Sequence, residues 1–209
     1  LNETEEHLGF FTLRDTSSFN LGRSYINPKA VTNSLPKGYY CLTDFKFNLL
    51  GNEFKVKAFP WMQQDANVSR CAHIATWEVV RYFSDKYRRY YELTLNQIAG
   101  LVDSVKRKVP SNGLTVSEIS QVMTKAGFSV DLYFREDTDV FNKLIYIFIE
   151  SGIPLVCGLL RKSHAISLLG HSEPVIELAD NYSENIVDAS CLVKNFVSCN
   201  DNMLPYSLI

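Results

Sequence analysis

The chain has no marked excess of charge of either sign. Its 209 residues carry 21 Lys and Arg against 23 Asp and Glu, a formal net charge of −2. No basic surplus is present to neutralise phosphates, so neither a nucleic-acid nor an anionic-membrane surface is expected. No apolar run approaches the ~18 residues that begin to span a bilayer, and the N-terminal region lacks the basic-then-apolar layout of a signal peptide. Leu1 stands where an initiator Met would, the pattern of a processed product or an excised domain. Cysteine is sparse and odd in number: five residues without close spacing point to reduced thiols in a cytoplasmic setting rather than to a disulfide framework. Paired Cys and His at zinc-ligand spacing are missing too, so neither metal nor cofactor is expected. There is no internal repeat and no low-complexity segment.

What remains is the composition of an ordinary globular protein, 46% apolar and 21% charged, with enough chain for one sizeable core or a core and a small annex. Residues 1–38 carry Asn, Ser, Gly and Pro at short intervals and read as an irregular entry. From Tyr39 to Pro60 the apolar period is two. If Gly51-Asn52 makes a two-residue turn, Leu49 faces Phe54, Phe47 faces Val56 and Phe45 faces Ala58, which places six apolar side chains on one face of a hairpin. The expected organisation is therefore an N-terminal segment with a hairpin at 1–60, packed on a main domain at 61–209.

The main domain opens with helices. Ala72, Ala75, Val79 and Phe83 recur at the spacing of an amphipathic helix, expected to run from about Cys71 to Tyr91. Thr94–Lys108 predicts a second helix, with Leu95, Ile98, Leu101, Val102 and Val105 inward. Thr115-Val116-Ser117-Glu118 is a capping box that opens a third, ending at Gly127. Phe128–Phe134 predicts a strand, and Asp137–Ser151 a helix with Val140, Phe141, Leu144, Ile145 and Phe148 inward, stopped by Gly152. Strands follow: a buried one at Ile153–Leu160, then His164–Leu169, a short one at Val175–Leu178, and Asn195–Cys199. Helices first and antiparallel strands second make an α+β fold.

Cys71 falls where the helix begins, with Ser69 or Asn67 as its N-cap. Unpaired N–H groups and the positive end of the helix dipole favour a thiolate there. Gln63 and Gln64, a few residues upstream, could turn an amide N–H toward an oxyanion beside the sulfur. Of the four histidines, His73 lies about 200° around the helix from Cys71 and His7 sits in the irregular entry. His164 opens a strand directly after a turn, where a base would meet the helix start. His171 lies about 20 Å further along that strand. A cysteine on a helix or a histidine at the start of a strand is, taken singly, more often core filling.

A cysteine opening a helix, followed 93 residues later by a histidine opening a hairpin strand, resembles the papain-like cysteine peptidases. The closer likeness is to the bacterial branch that cleaves double-glycine leaders. The matching pieces are Gln64 through Cys71-Ala72, Ser163-His164-Ala165-Ile166-Ser167-Leu168-Leu169-Gly170, and Phe196 through Asn202 with Pro205-Tyr206, over about residues 60–209. The resemblance implies a helical half carrying the cysteine, followed by an antiparallel sheet carrying the histidine and a third member. It also implies a thiol hydrolase that cleaves a peptide or isopeptide bond in a peptide or protein substrate. Cys71 would be the nucleophile, His164 the base, Asp201 or Asn200 the orienting group with Asp201 favoured, and Gln64 the oxyanion donor. The glutamine stands seven residues before the cysteine rather than the family's six, and 37 residues separate His164 from Asp201. Asp180 and Asp188, within that interval, are further candidates. The same Cys-His-Asp order serves acyltransferases, and a non-catalytic module binding peptide in the same cleft is the third reading.

Overall fold

The computed structural model describes residues 7–15, 21–31, 35–65, 71–103, 113–159, 162–175 and 188–209. Among them are four α-helices and two antiparallel sheets, a mixed α/β architecture in keeping with the α+β expectation. In the first sheet β1 (Gly9–Phe10), β2 (Ser24–Ile26), β5 (Asn52–Trp61) and β4 (Thr43–Leu49) lie side by side in that order. The second is built on β7 (His164–Ser172). One side of β7 carries β8 (Phe196–Cys199), then β9 (Ser207–Leu208); the other carries β6 (Leu155–Leu159) and β3 (Gly38–Tyr40) end to end.

The entry segment is more ordered than its composition implies, since it supplies β1, β2 and the first residue of β3. Strands of two and three residues are too short to display a period, and their partners are remote in sequence. β3 also needs glycine: a Cβ on Gly38 would sit 2.0 Å from the His171 carbonyl oxygen, so only hydrogen lets the two backbones pair.

The β4–β5 hairpin forms on the expected face with its turn moved by one residue. Thr43 pairs with Ala58, Phe45 with Val56, Phe47 with Phe54 and Leu49 with Asn52, so the loop is Leu50-Gly51 rather than Gly51-Asn52. Both residues have positive φ, 50° and 82°, as a type I′ turn requires. Each partner moves by two residues, and an even shift preserves the face. Leu50 is 94% exposed and bears a left-handed backbone. Leu50→Asn is therefore expected to raise stability by about 0.5–1 kcal/mol, read as a higher urea midpoint, because Asn tolerates this region and no apolar contact is lost.

The centre of the molecule is α1 (Cys71–Lys86). Ala72, Ala75 and Val79 are buried as expected, but so are Ile74, Trp77 and Val80 on the other faces. The helix is enclosed rather than amphipathic because β7 and β6 pack on it from one sheet and β5 and β4 from the other, together with α2 (Leu95–Gly100) and α3 (Val116–Lys125). It ends at Lys86, short of Tyr91. The chain turns there, and the Tyr90 ring comes back to stack on Phe128 at 4.4 Å.

The expected cap at Thr115 forms, and a second one, not expected from the sequence, forms at Thr94. The Thr115 side chain accepts the Glu118 N–H while Glu118 reaches back, and Thr94 does the same with Gln97. α2 nonetheless stops at Gly100 rather than Lys108; positions 104–112 are outside the described residues. Residues 128–134 join no strand and are largely exposed, Phe134 to 66%. A β-like composition makes no ladder unless another strand pairs with it. In α4 (Thr138–Glu150) Ile145 and Ile149 are buried with Phe141 beside them, whereas Val140 is exposed. β6 is a half-buried edge strand rather than a buried one, since only β7 pairs with it. Val175 lies outside any strand, and the rest of the short strand expected there, like the caps proposed at Asn67 and Ser69, is outside the described residues.

Candidate active site

Cys71 is the first residue of α1, half-buried, in a small cluster with Ala72, Ala75 and Ala165. Ala165 follows His164, the first residue of β7. The start of the cysteine helix thus packs on the start of the histidine strand. Small side chains at the contact allow this: three alanines let helix and strand approach closely.

His164 is held from the side of β8. Its Nε2 lies 3.0 Å from Asn200 Oδ1, in the turn that follows the strand. That same oxygen accepts the backbone N–H of Asn202 at 3.0 Å. An amide nitrogen could not accept it, so the Asn200 side chain has one orientation. Nε2 therefore carries the hydrogen, which leaves Nδ1 as the basic nitrogen of neutral His164. The turn itself is pinned from the first sheet, where the indole N–H of fully buried Trp61 donates to the Asn200 carbonyl at 3.2 Å.

Asp201 lies close by on different terms. Its Oδ1 is 3.5 Å from His164 Nε2, and the side chain is only 1% exposed. Neither carboxylate oxygen has a hydrogen-bond partner. Burial pushes its pKa up to about 6, against the opposing pull of His164. Asn200 is thus the hydrogen-bonded neighbour of the imidazole and Asp201 the charged one. Asp188 is engaged elsewhere, bonded to Ser190 and to Lys143 at 2.6 Å, and these partners hold it down at about 2. Asp180 is outside the described residues.

The two glutamines separate clearly. Gln64 Nε2 donates to Asn202 Oδ1 at 2.8 Å, on the turn that holds His164. Gln63 faces the entry segment instead: its Oε1 accepts the Leu21 N–H at 3.1 Å, and its carbonyl accepts from Arg14 at 2.9 Å. The remaining histidines are committed elsewhere. His7 lies against Phe47 and Phe54, His73 is buried within α1, and His171 is buried between the Ser172 carbonyl and Glu150.

No disulfide joins the five cysteines. Burial pushes Cys41 up to about 12 and Cys199 well above the ordinary thiol value, and raises Cys157 as well. Cys191 is the exposed thiol. Among the described residues no group of three or more His, Cys, Asp or Glu could hold a metal ion, and no helix is long and apolar enough to cross a membrane.

Sequence reasoning missed Trp61, Glu78 and Ser167. Glu78 is fully buried with Ser167 Oγ at 2.6 Å. Its one signal was position: it stands seven residues after Cys71, two turns along one helix face. Comparison with family models, with curated proteins and with solved structures finds no match to this chain.

Proposed function

We propose that this chain is a papain-like thiol hydrolase acting on a peptide or isopeptide bond. The observation that carries the reading is the state of His164: Asn200 takes the Nε2 hydrogen, so the basic nitrogen is the one left to receive a thiol proton at the start of α1. In the proposed reaction the Cys71 thiol gives its proton to His164 Nδ1, and the sulfur attacks the acyl carbonyl carbon. The C–N bond then breaks as His164 returns the proton to the leaving amine. Water, deprotonated by the same nitrogen, displaces the sulfur and releases the acid. The Cys71 backbone N–H is one oxyanion donor, and Gln64 joins it after releasing Asn202.

The test is the pH dependence of alkylation by iodoacetamide, followed for each cysteine by peptide mass spectrometry. Cys71 is expected to react well below pH 8, and at pH 6 to exceed the exposed Cys191 by about tenfold or more, as a thiolate stabilised by an imidazolium does. If Cys71 merely tracks Cys191, no ion pair is assembled, and a cleft that binds peptide without cleaving it becomes the better reading.

A further inference from the structure

Further along α1 and β7, beyond Cys71 and His164, lies a carboxyl group that the proposed reaction leaves unused. Glu78 on α1 is 1% exposed, and its Oε2 is 2.6 Å from the Ser167 hydroxyl on β7. Either partner can supply the hydrogen of that bond. Oε1 has no hydrogen-bond partner. The polar groups that act on Glu78 are the Met62 backbone N–H, Ser167 and the Asp201 carboxyl, with the Cys199 thiol and the Tyr206 hydroxyl also close; none is a cation. An isolated carboxylate in such an interior is very costly, and two carboxyls sharing one buried space retain a single charge between them. Asp201 alone of the two has an imidazole within 3.5 Å. Burial accordingly drives the Glu78 carboxyl far above the carboxylate range.

Resting on the hydrolase reading, we propose that Glu78 is a positioning residue: a neutral carboxylic acid that ties the cysteine helix to the histidine strand through Ser167 and leaves Asp201 as the one negative charge beside His164. The spacing fits, since Glu78 is two turns from Cys71 on α1 and Ser167 is three residues from His164 on β7. A single bond between them fixes how far helix and strand can slide past each other at the reacting pair.

Two variants and two readouts test this. Glu78→Gln keeps a neutral hydrogen-bonding side chain, whereas Glu78→Leu keeps the volume and loses the bond. Cys71 alkylation at pH 6 is expected to stay within about twofold of wild type in Glu78→Gln and to fall about tenfold in Glu78→Leu, the tie being a hydrogen bond rather than a charge. A Glu78→Leu protein that reacts like wild type overturns the positioning role, and loss in both variants overturns the neutral assignment. The second readout is the folding constant from urea titrations between pH 5 and 7. If wild type must take up a proton at Glu78 to fold, the ratio of Glu78→Gln to wild type grows by about tenfold per pH unit. A ratio that does not change with pH shows that Glu78 is ionised in the folded protein. Were wild-type Cys71 to show no acid limb, the hydrolase reading and the positioning role would fall together, while the folding readout would still decide the protonation state.

Discussion

Replacing His164 with Ala is expected to slow alkylation of Cys71 at pH 6 by about two orders of magnitude, because an ordinary thiol with a pKa of about 8.5 is less than about 1% ionised there. Part of that ratio is returned by the higher intrinsic nucleophilicity of a more basic thiolate, which is why the expected loss is smaller than the thiolate fraction alone would give. Cys191 serves as the internal control and should not change. The sense of the pH dependence follows from Asp201. Its carboxyl, raised by burial to about 6 in the folded chain, takes up a proton as the pH falls through that value, and its attraction for an imidazolium is then lost. Ionising it is correspondingly unfavourable to folding: Asp201 favours the folded state most below its unfolded pKa near 4, and that contribution is lost as the pH rises through about 6. Mass spectrometry of each alkylated cysteine at several pH values checks the prediction. An unchanged Cys71 rate in His164→Ala would remove His164 from any chemical role.

The parts of this arrangement that could be read from sequence are those set by local chemistry. A cysteine at a helix start, a capping box at Thr115-Glu118 and a histidine after a turn all declare themselves within a few residues, and each stands where it was expected. Relations between distant segments were harder to read. β1, β2 and β3 gain their hydrogen bonds from strands far away in the chain, so their sequence resembles loop. Residues 128–134 have the composition of a strand but pair with none. The hairpin illustrates an intermediate case: alternation gave the correct face, whereas the register depended on Leu50 accepting positive φ, which propensity does not favour. The neighbours of His164 followed the same logic. Asn200 and Asp201 are adjacent in sequence, and only geometry distinguishes the acceptor at 3.0 Å from the carboxylate at 3.5 Å. Glu78 was invisible for a related reason, because a polar residue on a helix is assigned to solvent unless all its faces are known to be covered.

The two sheets meet at Tyr206, and Tyr206→Phe is expected to cost about 3 kcal/mol, since each unpaired buried backbone group is worth about 1–3 kcal/mol. The hydroxyl is buried between β2 and β5, where it donates to the Ile26 carbonyl at 2.6 Å and accepts the Phe59 N–H at 3.0 Å. Phenylalanine fills the same space and leaves both backbone groups without a partner. For a chain of this size that loss lowers Tm by roughly 6–12 °C, readable by circular dichroism. The deficit should be constant from pH 5 to 8, because burial drives the Tyr206 hydroxyl well above its ordinary range and keeps it neutral throughout; in this it differs from the pH-dependent effect expected at Glu78. An unchanged Tm would mean that this bond does not hold the sheets together. The functional consequence follows from position. Tyr206 lies six residues beyond Asn200 in the segment that leads out of β8, and Trp61 ties Asn200 to the end of the same strand, β5, that Tyr206 grips at Phe59. Loosening one of two anchors should destabilise the whole protein while Trp61 still seats the Asn200 turn, so Cys71 reactivity in the folded variant should fall far less than in His164→Ala.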